Sequence, residues 1–385
     1  MNYLTNNPKF LQFIGLLVLF LSLCLFIEPS ENNIFWRLPA LFKDIPFIIN
    51  DSVQYLMYEW LPIEVYDPEI DDYEQKPLFR EVTRTISSTV LFIIMLVRDI
   101  CLGGVQTIVA FTSWDFVNEN KWAHWPGLPW TVIAGGAAIL GYKLQGKGLA
   151  ALAAFSTIYI SVFGQWKPAL ETLSLVLIAA PGSVILGLFL GVWGFRNKTV
   201  EATLQPLLNV AQTMPHYSYL VPVLVLFGVG DHAGAIATII FATPPMVRLT
   251  LLGLKNVSPE VVDAGMMNGC SNFQLLFKVL IPTARHDILI GVNQVIMQCL
   301  AMTVIASFIG AQGLGSHLMV ALNSLRVGVG IEIGVCIVLI AVVLDKLSLA
   351  WANKQTDYFA DLSFIERNRY SLMFIVVIVA GSFLA

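Results

Sequence analysis

Long apolar runs, separated by short polar segments, dominate the pattern along this chain. A bilayer core takes about 20 apolar residues per helix. By that measure the pattern predicts nine membrane helices, at residues 10–27, 128–145, 149–164, 170–195, 209–228, 233–252, 288–309, 329–349 and 370–385. The chain has 385 residues, of which 57% are hydrophobic and 12% charged, whereas soluble domains carry about 25% charged residues. We therefore expect an all-α integral membrane protein.

A further apolar segment, residues 79–111, has Arg98 and Asp99 near its middle. Each such charge costs about 2.5–3.5 kcal/mol at the bilayer centre. The polar residues that fall partly along one helical face are Glu81, Arg84, Ser88, Arg98, Asp99 and Gln106. This arrangement predicts an amphipathic helix that lies at the membrane interface. If residues 86–111 cross the membrane instead, the chain has ten spans.

Lysine and arginine gather at alternate turns, which the positive-inside rule assigns to the cytoplasm. These residues include Lys143, Lys147, Arg196, Lys198, Arg248, Lys255, Lys346 and Lys354. The alternation predicts that the segment after the 233–252 helix is cytoplasmic and, if residues 79–111 lie flat, that residues 28–127 are external and the amino terminus cytoplasmic. Helix 10–27 lacks a following small-residue cleavage site, so we expect it to be retained as a membrane helix.

Composition and motifs exclude several kinds of chemistry. The formal charge of −4 is too small to indicate a nucleic-acid partner. Five cysteines without paired spacing indicate neither a disulfide framework nor a zinc site, so no metal or cofactor is expected. The stretch "GYKLQGKG" imitates a P-loop, but Gly148 stands where Ser or Thr binds magnesium. We expect a tight turn there, and a chain that is not itself an enzyme.

Polar and aromatic residues interrupt two of the predicted spans. Asn293, Gln294 and Gln298 carry amides, which in hydrocarbon should face protein or a water-filled path. Interhelical hydrogen bonding and lining of a translocation pathway are alternative interpretations. Tyr217 and Tyr219 follow "QTMPH", and their rings either pack or offer aromatic faces to a quaternary ammonium solute.

The span at 170–195 contains a row of small residues, Ser183, Gly187 and Gly191, spaced four apart. Such a row lets neighbouring helices approach closely in a membrane. The pattern therefore predicts helix packing at this face.

The stretch "DAGMMNGCSNFQLLFKVLIPTA", residues 263–284, is polar and punctuated by glycine. Ser258 suits the N-cap and Pro259 the first helical position of the helix that contains it. Gly265 and Gly269 are four apart and predict a smooth helix face, and Pro282 ends the segment. A polar cytoplasmic helix of this length indicates a docking element for a soluble partner.

The same stretch resembles the EAA motif of ABC importer permeases, with Asp263, Ala264, Gly265 and Gly269 at its named positions and "VLIP" closing it. Asp263 and Gly265 stand where Glu and Ala are usual. "LQPLLNVAQTMPHYSYLVPVLVLFGVG" and "GVNQVIMQCLAMTVIASFIGAQGLG" extend the resemblance to the permeases of glycine betaine/proline betaine importers, over about residues 166–349.

The resemblance implies a type I ABC importer permease fold, with an N-terminal region at 1–165, a core at 166–350 and a C-terminal extension at 351–385. It makes 258–282 the coupling helix that docks on an ATPase. The coupling residues it implies are Glu260, Asp263, Ala264, Gly265, Gly269 and Pro282.

The implied partners are two ATPase subunits, a periplasmic substrate-binding protein and a second copy of the chain, in a bacterial inner membrane. The implied solutes are small methylated ammonium osmolytes: glycine betaine, proline betaine, choline or trimethylamine N-oxide. One alternative is an ABC permease for another small solute. The other is a stand-alone secondary transporter, which would be expected to carry ionisable residues at mid-membrane.

Overall fold

The computed structural model describes residues 51–56, 59, 62–67, 72–102 and 130–353. The predicted helices 10–27 and 370–385 lie outside the described residues, as do residues 103–111 of the predicted amphipathic helix. The chain divides into two units, residues 1–81 and 82–385, which are described separately.

The first unit contains a short hairpin that the hydrophobic pattern did not predict. Strands β1 (Pro62–Asp67) and β2 (Asp72–Pro77) pair antiparallel, with Pro62 opposite Pro77 and Asp67 opposite Asp72. Ile63, Val65 and Tyr66 of β1 are β-branched or aromatic residues, which are enriched in strands. The described regular structure is otherwise helical.

The second unit is built almost entirely from helices. In chain order the α-helices are α1 (Leu78–Leu102, which begins in the first unit), α2 (Trp130–Gln145), α3 (Lys147–Val162), α4 (Trp166–Arg196), α5 (Lys198–Thr213), α6 (Leu220–Phe227), α7 (Asp231–Lys255), α8 (Pro259–Met267), α9 (Asn272–Gln274), α10 (Ile281–Thr283), α11 (Arg285–Ile305), α12 (Leu314–Asn323) and α13 (Val327–Asn353). Two 3-10 turns, His216–Tyr219 and Ala306–Ile309, and one π-helical turn, Leu275–Leu280, join them.

Four helices of the described chain are long and apolar enough to cross a membrane: α4, α7, α11 with its 3-10 extension, and α13. They confirm the predicted spans at 170–195, 233–252, 288–309 and 329–349. Helices α2 and α3 occupy the predicted spans at 128–145 and 149–164, with 16 residues each. The P-loop-like stretch "GYKLQGKG" forms the turn between these two helices at Gly146, whose φ is 87°.

The predicted single span at 209–228 is wrong. Helix α5 ends at Thr213, Met214 and Pro215 are extended, and the chain turns through His216–Tyr219 into the eight-residue helix α6. Pro215 has no N–H to continue the helix and disfavours the helical conformation of Met214 before it. The run of apolar residues is continuous in the sequence, but the helix that it forms is broken.

Helix α7 packs between α4 and α11 through the predicted small residues. A Cβ on Gly187 would overlap the side chain of Met246, and one on Gly191 would lie 2.7 Å from Thr250 Cβ. On the other side, a Cβ on Gly291 would lie 2.9 Å from Met246 Sδ. Met246 is fully buried. The row at 183–191 is thus confirmed as a packing face.

Helix α1 attaches to the core through one buried apolar side chain and one ion pair. Ile94 packs in a cluster with Leu175 and Ala306. An Arg98 guanidinium nitrogen lies 2.7 Å from a carboxylate oxygen of Asp231, with side chains 16% and 10% exposed. The other Asp231 oxygen accepts the Gln312 N–H at 2.7 Å. Arg98, which the sequence placed on the polar face of an interfacial helix, therefore pairs with Asp231 within the protein.

We predict that Gly187→Val destabilises the protein by about 1–3 kcal/mol, the usual cost of overpacking a close contact. Gly334→Val is the matched control, since it also lies in a long apolar helix but its added Cβ meets nothing within 4 Å. Thermal unfolding of the purified protein in detergent should show a lower Tm for the first variant alone. Equal Tm values would contradict the packing role of Gly187.

We also predict that Arg98→Ala costs about 2–4 kcal/mol, because it strands the Asp231 carboxylate in a largely buried place. Arg84→Ala, at an exposed position of the same helix, is the control. A double-mutant cycle with Asp231→Asn, followed by thermal unfolding, measures the coupling. Additive single and double effects would show that the pair does not hold α1 to the core.

Candidate functional site

The predicted docking element is a helical hairpin rather than the single helix expected at 258–282. Helix α8 forms its first arm, and α9, the π-helical turn and α10 form the second. Ser258 is at the N-cap and Pro259 is the first helical residue, as predicted, although the Ser258 side chain makes no capping hydrogen bond. No residue of α8 is buried.

The turn of the hairpin is set by local hydrogen bonds. Gly269 has a φ of 75°, its N–H donates to Met266 O at 2.9 Å, and the Cys270 N–H donates to Gly265 O at 3.3 Å. This is a Schellman motif, which commonly places glycine at the left-handed position. Ser271 then begins the second arm with a capping box, exchanging hydrogen bonds with Gln274. The corner between the arms is therefore specified by its own sequence.

The two glycines do not form the shared docking face that their spacing predicted. A Cβ on Gly265 would lie 2.7 Å from Leu275 Cδ1 and 3.3 Å from Val279 Cγ2, so Gly265 faces the second arm. A Cβ on Gly269 would meet nothing within 4 Å, and its positive φ gives it a conformational role. Residues four apart share a face only within one continuous helix, and Gly269 lies beyond the end of α8.

The exposed surface of the hairpin is carried by other residues. Glu260, Asp263, Ala264 and, on the second arm, Pro282 are exposed, as a docking role requires. We define the hairpin tip as the exposed apolar side chains Met266, Met267, Phe273 and Phe277. Met267 is 90% exposed, and the rings of Phe273 and Phe277 lie 4.5 Å apart. The hairpin thus presents an apolar tip beside two carboxylates.

A cavity of about 540 Å³ opens where the chain breaks between α5 and α6. Its lining is contributed by Ala211, Gln212, Met214, His216, Phe241, Pro245, Asn293, Gln294, Met297 and Gln298. The extended backbone at Met214 and Pro215 removes a helical turn from this place. On α7, Pro245 has no N–H for the carbonyl of Phe241, which therefore lacks its usual helical donor.

The structure divides the predicted pathway residues into two groups. Asn293, Gln294 and Gln298 line the cavity, whereas Tyr217 and Tyr219 do not. Tyr219 is buried and its hydroxyl donates to Ala211 O. Tyr217 is exposed, and its ring packs edge-on against Phe308 at 5.3 Å.

Other lining residues were missed or undervalued in the sequence. His216, to which the sequence analysis assigned no role, lines the cavity, and its ring lies 4.6 Å from the Phe241 ring, centroid to centroid. Gln212 and Met214 precede it in "AQTMPHY", and a polar segment before a proline was the available signal. Phe241 and Met297 carried no signal, since they are ordinary apolar residues of long spans.

The amides on α11 have different hydrogen-bonding states. Asn293 Nδ2 donates to Asp345 Oδ1 at 3.1 Å, and Asn293 Oδ1 accepts the Ser348 hydroxyl, so this side chain ties α11 to α13. The Gln298 Oε1 atom is buried and has no hydrogen-bond partner among the described residues. Hydrogen bonding between helices therefore accounts for the amide of Asn293. Gln298 lines the cavity, and its side-chain oxygen has no partner among the described residues.

Comparison with known proteins places this architecture in a family. The family model described as "Binding-protein-dependent transport system inner membrane component" matches residues 183–354. The chain is 51% identical to the trimethylamine N-oxide transport system permease protein TmoV of Pelagibacter ubique, over 99% of this chain and 58% of that protein. It is 39% identical to the glycine betaine transport system permease protein OpuAB of Bacillus subtilis, over 55% of this chain and 75% of that protein. The chain belongs to the binding-protein-dependent inner-membrane transport component family.

The region matched by the family model contains both the hairpin and the cavity. The matched residues run from Ser183 in α4 beyond the end of α13, and include the hairpin and every residue that lines the cavity. The chain is a multi-pass inner-membrane protein with the helical fold expected of ABC importer permeases. It spans 58% of the Pelagibacter TmoV and 43% of the TmoV of Ruegeria pomeroyi, so it is much shorter than either relative.

No group of three or more His, Cys, Asp or Glu residues in the described ranges is arranged to hold a metal ion.

We predict that Gly269→Ala destabilises the protein by about 1 kcal/mol, because an L side chain is strained at its positive φ. Gly269→Asn should cost less, since Asn tolerates this conformation better. Thermal unfolding in detergent gives the order wild type, Asn, Ala. An Ala variant as stable as wild type would mean that the corner does not depend on glycine.

Proposed function

We propose that this chain is the permease subunit of an ATP-driven, binding-protein-dependent importer of small methylated ammonium osmolytes. The hairpin tip is the observation that carries this proposal: an exposed apolar surface on a rigid corner, in a segment that the charge pattern assigns to the cytoplasm. The relatives' names support the solute class, since they denote permeases for trimethylamine N-oxide and glycine betaine.

The proposed partners follow from the shape of this surface and from the family. Two ATPase subunits bind the hairpins of two copies of the chain and hydrolyse the ATP. A periplasmic substrate-binding protein delivers the solute on the opposite side. Met267 and Phe273 insert into the ATPase, and Glu260 and Asp263 lie at the polar edge of the contact. Three of the predicted coupling residues act indirectly, by maintaining the shape of the hairpin: Gly265 lets the two arms pack closely, Gly269 forms the corner, and Pro282 lies in the last turn of the second arm.

The contacts of the hairpin support a mechanical role. Leu276 and Leu280 of its second arm are buried in the same cluster as Met246 of α7 and Cys299 of α11. The tip is exposed, whereas the base is packed into the membrane core. Force applied at the tip is therefore transmitted to the helices that line the cavity.

We predict that Met267→Asp abolishes ATP-driven uptake and the co-purification of the ATPase, because interface anchors of this kind contribute 2 kcal/mol or more, about a thirtyfold change in affinity. Leu325→Asp is the control: it is 86% exposed, lies in a loop between α12 and α13, and has a φ of 52° that Asp tolerates. Both variants should reach the membrane in normal amounts. Normal ATPase binding by Met267→Asp would remove the docking role.

The solute is tested with the complex reconstituted in liposomes with its own ATPase and binding protein. Labelled trimethylamine N-oxide, glycine betaine, choline and an unrelated amino acid are offered separately. Uptake that needs ATP, and that is seen with a methylated ammonium compound, is the expected result. If only the amino acid is taken up, the proposal of a permease stands but the proposed class of solute is refuted.

A further inference from the structure

We propose that the cavity beside Pro215 is a solute-binding site of the permease itself, and that it takes dipolar solutes without net charge in preference to cations. This inference rests on the proposed function and adds a selectivity step to it. We call the site the amide cavity and define it by Gln212, His216, Phe241, Gln294 and Gln298.

The side-chain oxygen of Gln298, which has no hydrogen-bond partner among the described residues, points to a ligand. This atom, Oε1, is one of five buried side-chain atoms without a hydrogen bond in the described part of the chain, and Gln298 alone of the five residues lines the cavity. Buried polar groups in native proteins almost always have a partner, and an exception calls for a water, an ion or a functional role. A solute that offers hydrogen-bonding groups would satisfy the Gln298 oxygen.

Neighbouring groups extend this polar wall. Gln294 lies one helical turn before Gln298 on α11, so both amides face the same side. Gln212 and His216 lie on either side of the chain break and also line the cavity. Amide and ring N–H groups are the donors that an amine-oxide or carboxylate oxygen accepts. The cavity therefore has convergent donors for the negative end of a dipolar solute.

Apolar groups complete the lining. Phe241, Met214, Met297 and Pro245 provide surfaces for methyl groups. Phe241 is the only phenyl, tyrosyl or indole ring among the lining residues, so the site is not the aromatic cage that recognises an isolated quaternary ammonium ion. Its volume of about 540 Å³ lies within the range of about 300–1,000 Å³ for small-molecule pockets.

The charge of the lining decides between solutes. None of the lining residues is Asp, Glu, Lys or Arg. Asp345 stands behind the wall, and its Oδ1 already accepts the Asn293 amide N–H at 3.1 Å. A net cation entering this space would be desolvated without a direct counter-ion, which is costly in a low-dielectric site. A betaine or an amine oxide carries its own negative group and avoids that cost.

The test measures solute binding to the full chain in lipid nanodiscs, without a binding protein, by equilibrium dialysis. The probes are labelled trimethylamine N-oxide, glycine betaine and choline. We expect saturable weak binding of the first two and at least tenfold weaker binding of choline. Gln298→Leu should weaken binding of the first two about three- to tenfold, the effect of one hydrogen bond. Gln205→Leu, at an exposed position of α5 outside the cavity, should leave binding unchanged.

A second variant guards against loss of folding. Gln294→Leu changes a more exposed position of the same wall and should also weaken binding about threefold. Equal binding of choline, absence of saturable binding, or unchanged binding in folded Gln298→Leu and Gln294→Leu would each overturn the inference.

Failure of this inference is distinguishable from failure of the proposed function. If the reconstituted wild-type complex imports none of the three methylated ammonium solutes with ATP, the proposed function fails; if it imports choline alone, the proposed function stands and the amide cavity is refuted. If it imports the solutes without net charge while dialysis shows no preference over choline, selectivity resides in the binding protein and only the amide cavity is refuted.

Discussion

The close approach of α4, α7 and α11 around Met246 is the constraint on which the rest of the structure depends. In lipid, apolar surfaces gain little by leaving their solvent, so helices associate mainly through van der Waals contact and hydrogen bonds. Gly187 and Gly291 give Met246 room on two sides, and Gly191 does the same for Thr250. Because these positions lack side chains, α7 is held at the centre of the core, with Asp231 at one end and the hairpin following the other.

Polar groups within this core are mostly satisfied by partners on other helices. Arg98, Asp231 and the Gln312 N–H form one set, and Asn293, Asp345 and Ser348 form another. Both sets join helices, although one guanidinium nitrogen of Arg98, Nη2, is buried without a hydrogen-bond partner among the described residues. The Gln298 oxygen differs because it is buried at a cavity with no partner. Four other buried side-chain atoms in the described residues also lack a partner, but Gln298 alone of these five residues lines the cavity, and this position makes its oxygen informative about ligands.

The sequence predicted the features that depend on local pattern. Four long spans and the packing row at Ser183, Gly187 and Gly191 followed from apolar length and four-residue spacing, and the tight turn at Gly146 followed from its position between two apolar runs. Features that depend on contacts between distant segments were not predicted. The inward turn of Arg98 needs Asp231, which is 133 positions away (231 − 98), and the orientation of Gly265 needs the second arm of the hairpin. The break at Pro215 had a local signal, but the surrounding apolar run concealed it.

The shared packing of the hairpin and the cavity constrains how the proposed transport cycle works. Leu276 and Leu280 of the hairpin belong to one apolar cluster with Met246, Val295 and Cys299. Protein interiors of this density do not deform continuously, and small displacements are passed on as rigid-body shifts of packed elements. Gln298 lies directly before Cys299 on α11. A movement of the hairpin tip that shifts Leu276 and Leu280 must therefore also shift the wall that carries the free amide. Under the proposed function, closure of the ATPase changes the affinity of the amide cavity for its solute through this contact. The solute is then bound weakly before the movement and released after it, without a separate gate at the site.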